Sequence, residues 1–232
     1  MNLNSFDSVW ETRYKDNPKY RNHYPWSAVV SFVYINRPVK KEAKDIKILE
    51  VGCGNGNNLW FAAREGFSVA GIDGSETAIA YAKDWFGREG LAGDFRVGDF
   101  TNLPFEDSYF DIVIDRSALT LCGMPAINNA IAEIWRVLCP EGKFLFNPMS
   151  DRSSSFDGLP DQDGCYRKVR FGPILPGAQI KFYSILEIRE LFQKKWIVNK
   201  IMHNEQMSFH APERTVYADW QVELMKISNT YE

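Results

Sequence analysis

The sequence predicts an α/β fold: doubly wound, with a mostly parallel seven-stranded sheet, an antiparallel C-terminal strand and helices on both faces. Three observations carry that prediction. Short apolar runs alternate with helix-compatible segments between Lys47 and Asn147, the arrangement that requires a parallel sheet covered on both sides. The first of those runs ends in a glycine cluster, Gly52-Cys-Gly54-Asn-Gly56. Near the C-terminus, Thr215–Ile227 alternates with period two, which marks a strand with unlike faces and not a parallel interior one.

In chain order, Lys47–Val51 (KILEV) reads as a buried strand, and Asn58 to Glu65 as a helix that stops at Gly66. Phe67–Asp73 (FSVAGID) is a second strand. Ser75 offers a cap to a helix whose apolar face is Ile79, Ala82 and Phe86, running as far as Gly87. Phe95–Gly98 is a short third strand and Phe110–Asp115 (FDIVID) a strong fourth. Ala126–Leu138 is the clearest amphipathic helix, with Ile127, Ile131, Ile134, Trp135 and Leu138 on one side. Pro140–Gly142 ends it, and Lys143–Asn147 (KFLFN) makes a fifth strand. Ser150–Gln179 is rich in Ser, Asp, Gly and Pro and reads as a long loop or insertion. Ser184 and Glu187 form a capping box that opens a helix running to about Lys195. Trp196–Met202 is a sixth strand, and Thr215–Ile227 closes the sheet as the seventh.

Composition narrows the function classes. The 232 residues are 45% hydrophobic and 25% charged, with 27 basic against 30 acidic side chains for a net charge of −3. Those are values of an ordinary globular domain. The slight acidity argues against a nucleic-acid footprint, which shows as a basic face. No apolar stretch approaches the roughly 20 residues of a membrane span, and the first fifteen residues lack a basic start followed by an apolar run. A cytoplasmic location with no membrane partner is expected. Cys53, Cys122, Cys139 and Cys165 are far apart and read as reduced thiols, and with His23, His203 and His210 they form no close metal-ligand set, so no metal is expected. Aromatic residues reach 14%, and many fall between Trp10 and Tyr34.

The segment Glu50-Val-Gly52-Cys53-Gly54-Asn-Gly56 carries the most chemistry. A strand leads into alternating glycines and a helix follows, so a ligand can approach bare backbone at a helix N-terminus. The dinucleotide fingerprint would place a third glycine at position 57, which is Asn57. Asp73 ends the second strand near the spacing at which an acid meets a ribose, Asp99 follows the third strand, and Glu50 precedes the loop. Polar groups therefore arrive at one crevice from the carboxyl ends of neighbouring strands.

These elements together resemble the class I S-adenosylmethionine-dependent methyltransferases, whose fold is Rossmann-like. The matching stretches are ILEVGCGNG for the glycine loop, GIDGS for the ribose motif, VGDF for the adenine motif, LPFEDSYFDIVIDRSAL for the fourth strand and IAEIWRVLCPEGKFLF for the next helix and strand. The resemblance covers about Ile46 to Met149. It implies S-adenosyl-L-methionine as cofactor and a set of contacts to it. Gly52, Gly54 and Gly56 would pack under the methionine part, with Glu50 and Cys53 also among the cofactor contacts. Asp73 would meet both ribose hydroxyls, with Gly74 and Ser75 on that side. Asp99 would meet the adenine amino group with Phe100 nearby, and Arg116 would contact the cofactor from the other side.

It also implies one domain over residues 1–232: an N-terminal helical lid (1–45), a cofactor-binding core (46–149), an insertion loop (150–179) and a C-terminal helix with an antiparallel strand pair (180–232). Trp10, Tyr14, Arg21, Tyr24 and Trp26 could cover the cofactor, Tyr14 as a contact, or frame the acceptor; alternatively they pack two helices onto the sheet.

Methyl transfer from a sulfonium needs mainly alignment, so no fixed catalytic set is expected. Asp115, His203 and His210 are the candidate bases, each also readable as structural. Asp115-Arg116-Ser117-Ala118 stands where nucleic-acid amine methyltransferases carry Asn/Asp-Pro-Pro-Tyr/Phe, which favours a small-molecule acceptor, a sugar derivative or other hydroxylated metabolite. The pattern, with ADWQVELMK, is similar to methyltransferases of bacterial surface-polysaccharide gene sets. The competing readings are an NAD-type oxidoreductase on the same fold and a non-catalytic S-adenosylmethionine sensor.

Overall fold

The computed structural model describes residues 5–154, 158–167, 178–209 and 215–227. Its sheet has seven strands in the order β3-β2-β1-β4-β5-β7-β6. They are β1 (Lys47–Val51), β2 (Ser68–Asp73), β3 (Asp94–Val97), β4 (Phe110–Asp115), β5 (Leu138–Phe146), β6 (Trp196–Ser208) and β7 (Thr215–Lys226). The first five run parallel, and β7 is antiparallel to both β5 and β6. The helices are α1 (Val9–Asp16), α2 (Ser27–Asn36), α3 (Asn57–Arg64), α4 (Glu76–Arg88), α5 (Met124–Val137) and α6 (Ile185–Leu191).

The two faces of the sheet are sorted residue by residue, as a pleat demands. Leu49, Val51 and Val113 turn toward α5 and α6, packing with Ile127, Ile131, Ile134 and Ile188. Ile48, Ile112 and Ile114 turn the other way, packing with Phe32 of α2, Leu59 of α3 and Ile79, Ala82 and Phe86 of α4. The doubly wound architecture read from the sequence is therefore present. Ser75 caps α4 by accepting from the Ala78 amide at 3.1 Å, and the Ser184–Glu187 capping box opens α6.

Three boundaries differ from expectation. β5 begins at Leu138, not Lys143: Pro140–Gly142 forms a bulge within the strand, where the pairing register shifts between Phe110 and Ile112 and Glu141 takes a φ of +60°. The helix α6 ends at Leu191, not near Lys195. β6 extends to Ser208 because β7 pairs with it along its whole length. Parts of the Ser150–Gln179 segment fall outside the described residues. Its described parts hold only isolated bridges, Ser150 to Tyr183 and Tyr166 to Ile180. No helix among the described residues is long and apolar enough to cross a membrane.

Candidate functional site

β1 lies between β2 and β4 in register, with Val51 opposite both Ile72 and Asp115. The chain leaves its carboxyl end through Gly52 and Gly54, at φ +64° and +52°, where a side chain is strained. Space forbids one as well: a Cβ on Gly52 would stand 2.1 Å from the Ala118 Cβ, and one on Gly54 2.3 Å from the Tyr14 hydroxyl. Bare backbone is the floor of the crevice for both reasons.

Three buried carboxyl groups surround that floor. Asp73 accepts from the Gly54 and Ser75 amides, each at 2.8 Å, and so fixes the loop to the end of β2. Burial raises its pKa, and the two amide bonds oppose the rise. Glu50 accepts from the Asn58 side chain at 2.6 Å through Oε1, while its buried Oε2 has no partner. Burial pushes its pKa up to about 8, against the Asn58 bond and with repulsion from Asp115 and Asp73. Asp115 accepts from the Ala118 and Leu119 amides at 2.8 and 2.9 Å, shaping the loop after β4. Burial raises its pKa to about 6.

The N-terminal segment forms the roof. Three asparagines of the glycine loop and α3 hold it: Asn55 donates to the Asn22 carbonyl at 2.7 Å, Asn57 donates to the Tyr24 carbonyl at 2.8 Å, and Asn58 accepts from the Trp26 amide at 3.0 Å. At the other end, Glu11 accepts from the hydroxyls of Ser75, at 2.6 Å, and Thr77, and from the Thr77 amide. Those hydroxyl bonds hold its pKa below the usual value. The Phe6 ring covers Gly74, with a carbon 2.3 Å from where a Cβ would be. Between roof and floor lies a cavity of about 270 Å³.

Of the residues expected to bind the cofactor, Glu50, Gly52, Cys53, Gly54, Asp73, Gly74, Phe100, Arg116 and Tyr14 line this cavity. Gly56, Ser75 and Asp99 do not. Gly56 starts α3 against the Phe95 ring. The Ser75 hydroxyl is spent on capping α4 and bonding Glu11. Asp99 stays exposed at the rim, where it accepts from the Ser5 hydroxyl at 2.6 Å and from Thr101. Trp10 and Trp26 are in the wall. Tyr24 is 75% exposed, and Arg21 donates to the Tyr14 carbonyl at 2.8 Å.

Among the candidate bases, Asp115 is buried beneath the post-β4 loop and outside the cavity wall. His203 is also outside that wall, bonding Ser150 Oγ at 2.8 Å against the Trp220 ring. His210 lies outside the described residues. Sequence reasoning missed Phe6, Tyr20, Asn22, Asn55, Asn58 and Tyr217, all of which line the cavity. The close run Asn55, Asn57, Asn58 was a signal available for part of that set.

The crevice fits a ligand with an amine, ribose hydroxyls and no phosphate. It offers an unpartnered acceptor at Glu50, a carboxylate at Asp73 and a floor that any Cβ would fill. Residues 48–142 match the family model described as a methyltransferase domain. That stretch is a methyltransferase domain, similar to those of the class I S-adenosylmethionine-dependent methyltransferases. The chain is 31% identical over 130 residues to a malonyl-[acyl-carrier protein] O-methyltransferase of Pectobacterium atrosepticum, covering 55% of this chain and 49% of that one. It is 37% identical over 102 residues to squalene methyltransferase 1 of Botryococcus braunii, covering 43% and 26%. The chain thus spans half or less of the length of these curated relatives. Its fold is that of the Burkholderia thailandensis 1,6-didemethyltoxoflavin-N1-methyltransferase, at a TM-score of 0.65 and 17% identity, covering 95% of this chain and 87% of that chain.

Proposed function

We propose that this chain transfers a methyl group from S-adenosyl-L-methionine to a small-molecule acceptor, a sugar derivative or other hydroxylated metabolite. The observation that carries the reading is the crevice between β1 and β2, where the unpartnered Glu50 oxygen and the Asp73 carboxylate flank bare glycine backbone. Asp73 would take the ribose hydroxyls, Glu50 the amine, and Phe100 and Gly74 the nucleoside side. Bound there, the cofactor supplies an electrophilic methyl on a good leaving group. The protein's part is then to align the acceptor and exclude water, which the stapled roof supports; alignment alone lowers such a barrier substantially. Asp115 and His203 lie outside the cavity wall, which supports positioning over proton abstraction by either group. The similar proteins are named for a malonyl-[acyl-carrier protein], squalene and 1,6-didemethyltoxoflavin, which supports a small-molecule or lipid acceptor without choosing one.

Calorimetry with S-adenosylhomocysteine and with NAD tests the assignment. We expect S-adenosylhomocysteine to bind and NAD not to, with Asp73→Ala weakening the former about 30-fold, the equivalent of about 2 kcal/mol. NAD binding with no S-adenosylhomocysteine binding overturns the reading.

A further inference from the structure

The cavity has a second wall, across from Asp73 and Gly74. Moving along the sheet edge, Asp73 stands on β2 and Glu50 on β1, whereas Arg116 follows β4 and Tyr217 lies on β7, beyond β5. On this far side the Arg116 guanidinium packs 4.2 Å from the centre of the Trp26 ring and bonds the Ser117 hydroxyl. No carboxylate among the described residues pairs with it within ion-pair distance, although it is half-buried in the wall. Glu50 and Asp115 feel the Arg116 charge, which opposes the rise that burial gives their pKa values, but neither lies at ion-pair distance from it. Asp7, also in the wall, is committed, its two oxygens accepting from the Val9 and Gln179 amides at 3.0 and 3.2 Å. A half-buried cation with no carboxylate at ion-pair distance, beside rings that can sandwich a flat molecule, is complementary to an anion.

We propose that Arg116 is the seat for a carboxylate on the methyl acceptor, so that the substrate class is a small organic acid whose ring lies against Trp26 and Tyr217. The inference rests on the methyltransferase reading above and deepens it. It also reassigns Arg116, which the family resemblance implies as a cofactor contact. The same carboxylate chemistry exists at the amino-acid end of the cofactor. The two sources are separable: 5′-methylthioadenosine keeps the nucleoside and lacks the amino-acid head.

The test uses the full chain saturated with S-adenosylhomocysteine and titrated with salicylate, salicylamide, glucuronate and glucose. At least one of the two acids should bind in the about millimolar range, at least tenfold tighter than its neutral counterpart. The binding should weaken with added salt. Arg116→Met should abolish that preference and Arg116→Lys should restore part of it. Both variants should bind S-adenosylhomocysteine and methylthioadenosine within about threefold of the parent chain, which also shows that they fold.

Equal binding of acids and neutral counterparts overturns the proposal, as does absence of binding by both acids. So does a tenfold loss of S-adenosylhomocysteine in Arg116→Met with methylthioadenosine unchanged, because Arg116 then serves the cofactor. Failure of the parent chain to bind S-adenosylhomocysteine at all is a different result, and it removes the methyltransferase reading itself.

Discussion

The floor and the roof of the cavity are built by opposite means. The floor is main chain: Gly52 and Gly54 in left-handed conformations, locked to β2 by Asp73 and pressed against Ala118. Its neighbours Ile48, Leu49, Val51 and Ile72 are wholly buried. The roof is side chain. No residue of α1 is fully buried, and the segment is held by hydrogen bonds donated by Asn55, Asn57 and Ser75 and one accepted by Asn58. A floor of this kind cannot shift without unfolding the sheet edge, whereas a roof held by a few bonds can open while the sheet stays intact. The contrast suits a site that must keep one cofactor geometry and still admit an acceptor.

Gly52→Val strikes the floor hardest. It adds a branched side chain at φ +64° and into the Ala118 methyl, for an expected loss of about 3 kcal/mol or more in stability. Denaturant unfolding should show it, together with loss of S-adenosylhomocysteine binding. If Gly52→Val folds and binds like the parent chain, the floor is not the rigid element argued here.

The roof should respond more mildly. Asn57→Ala removes the bond to the Tyr24 carbonyl, for about 1 kcal/mol. That loss should appear as faster proteolysis within the first thirty residues, with global unfolding nearly unchanged. An equal drop in global stability would mean that roof and floor unfold as one unit.

The same contrast explains what the sequence revealed. The β1–loop–α3 floor was legible because strand periodicity and glycine spacing are local signals that report backbone directly. Asp73 and Glu50 could be placed because parallel register aligns strand ends. The roof was not legible, since an Asn57 bond to Tyr24 joins residues 33 positions apart and leaves no periodic trace. Pro140–Gly142 misled for a related reason: the residues that signal a break also make a bulge, and only pairing with β4 distinguishes the two. Asp99 and Ser75 illustrate a further limit. Their positions follow from the strand order, but the partners that occupy their side chains, Ser5 and Glu11, come from the distant roof.

Glu50 joins the floor to the proposed seat of the cofactor amine. Its pKa in the folded chain is about 8, above the ordinary glutamate value of 4.5, so the folded state holds a proton that the unfolded state has released between those pH values. Its contribution to stability is complete below about pH 4.5 and is lost as pH rises through about 8, at up to about 1.4 kcal/mol per pH unit. Asp115, raised to about 6, acts in the same direction over a narrower window, so Glu50→Gln should flatten the decline without abolishing it.

A bound ammonium group next to Glu50 reverses the balance, because an adjacent cation favours the charged carboxylate. The decisive measurement is therefore the proton count on binding S-adenosylhomocysteine at pH 7, by calorimetry in buffers of different ionisation enthalpy. The account predicts release of close to one proton by the parent chain and none by Glu50→Gln. Binding without proton release by the parent chain would contradict the assignment of the Glu50 oxygen as the seat of the cofactor amine.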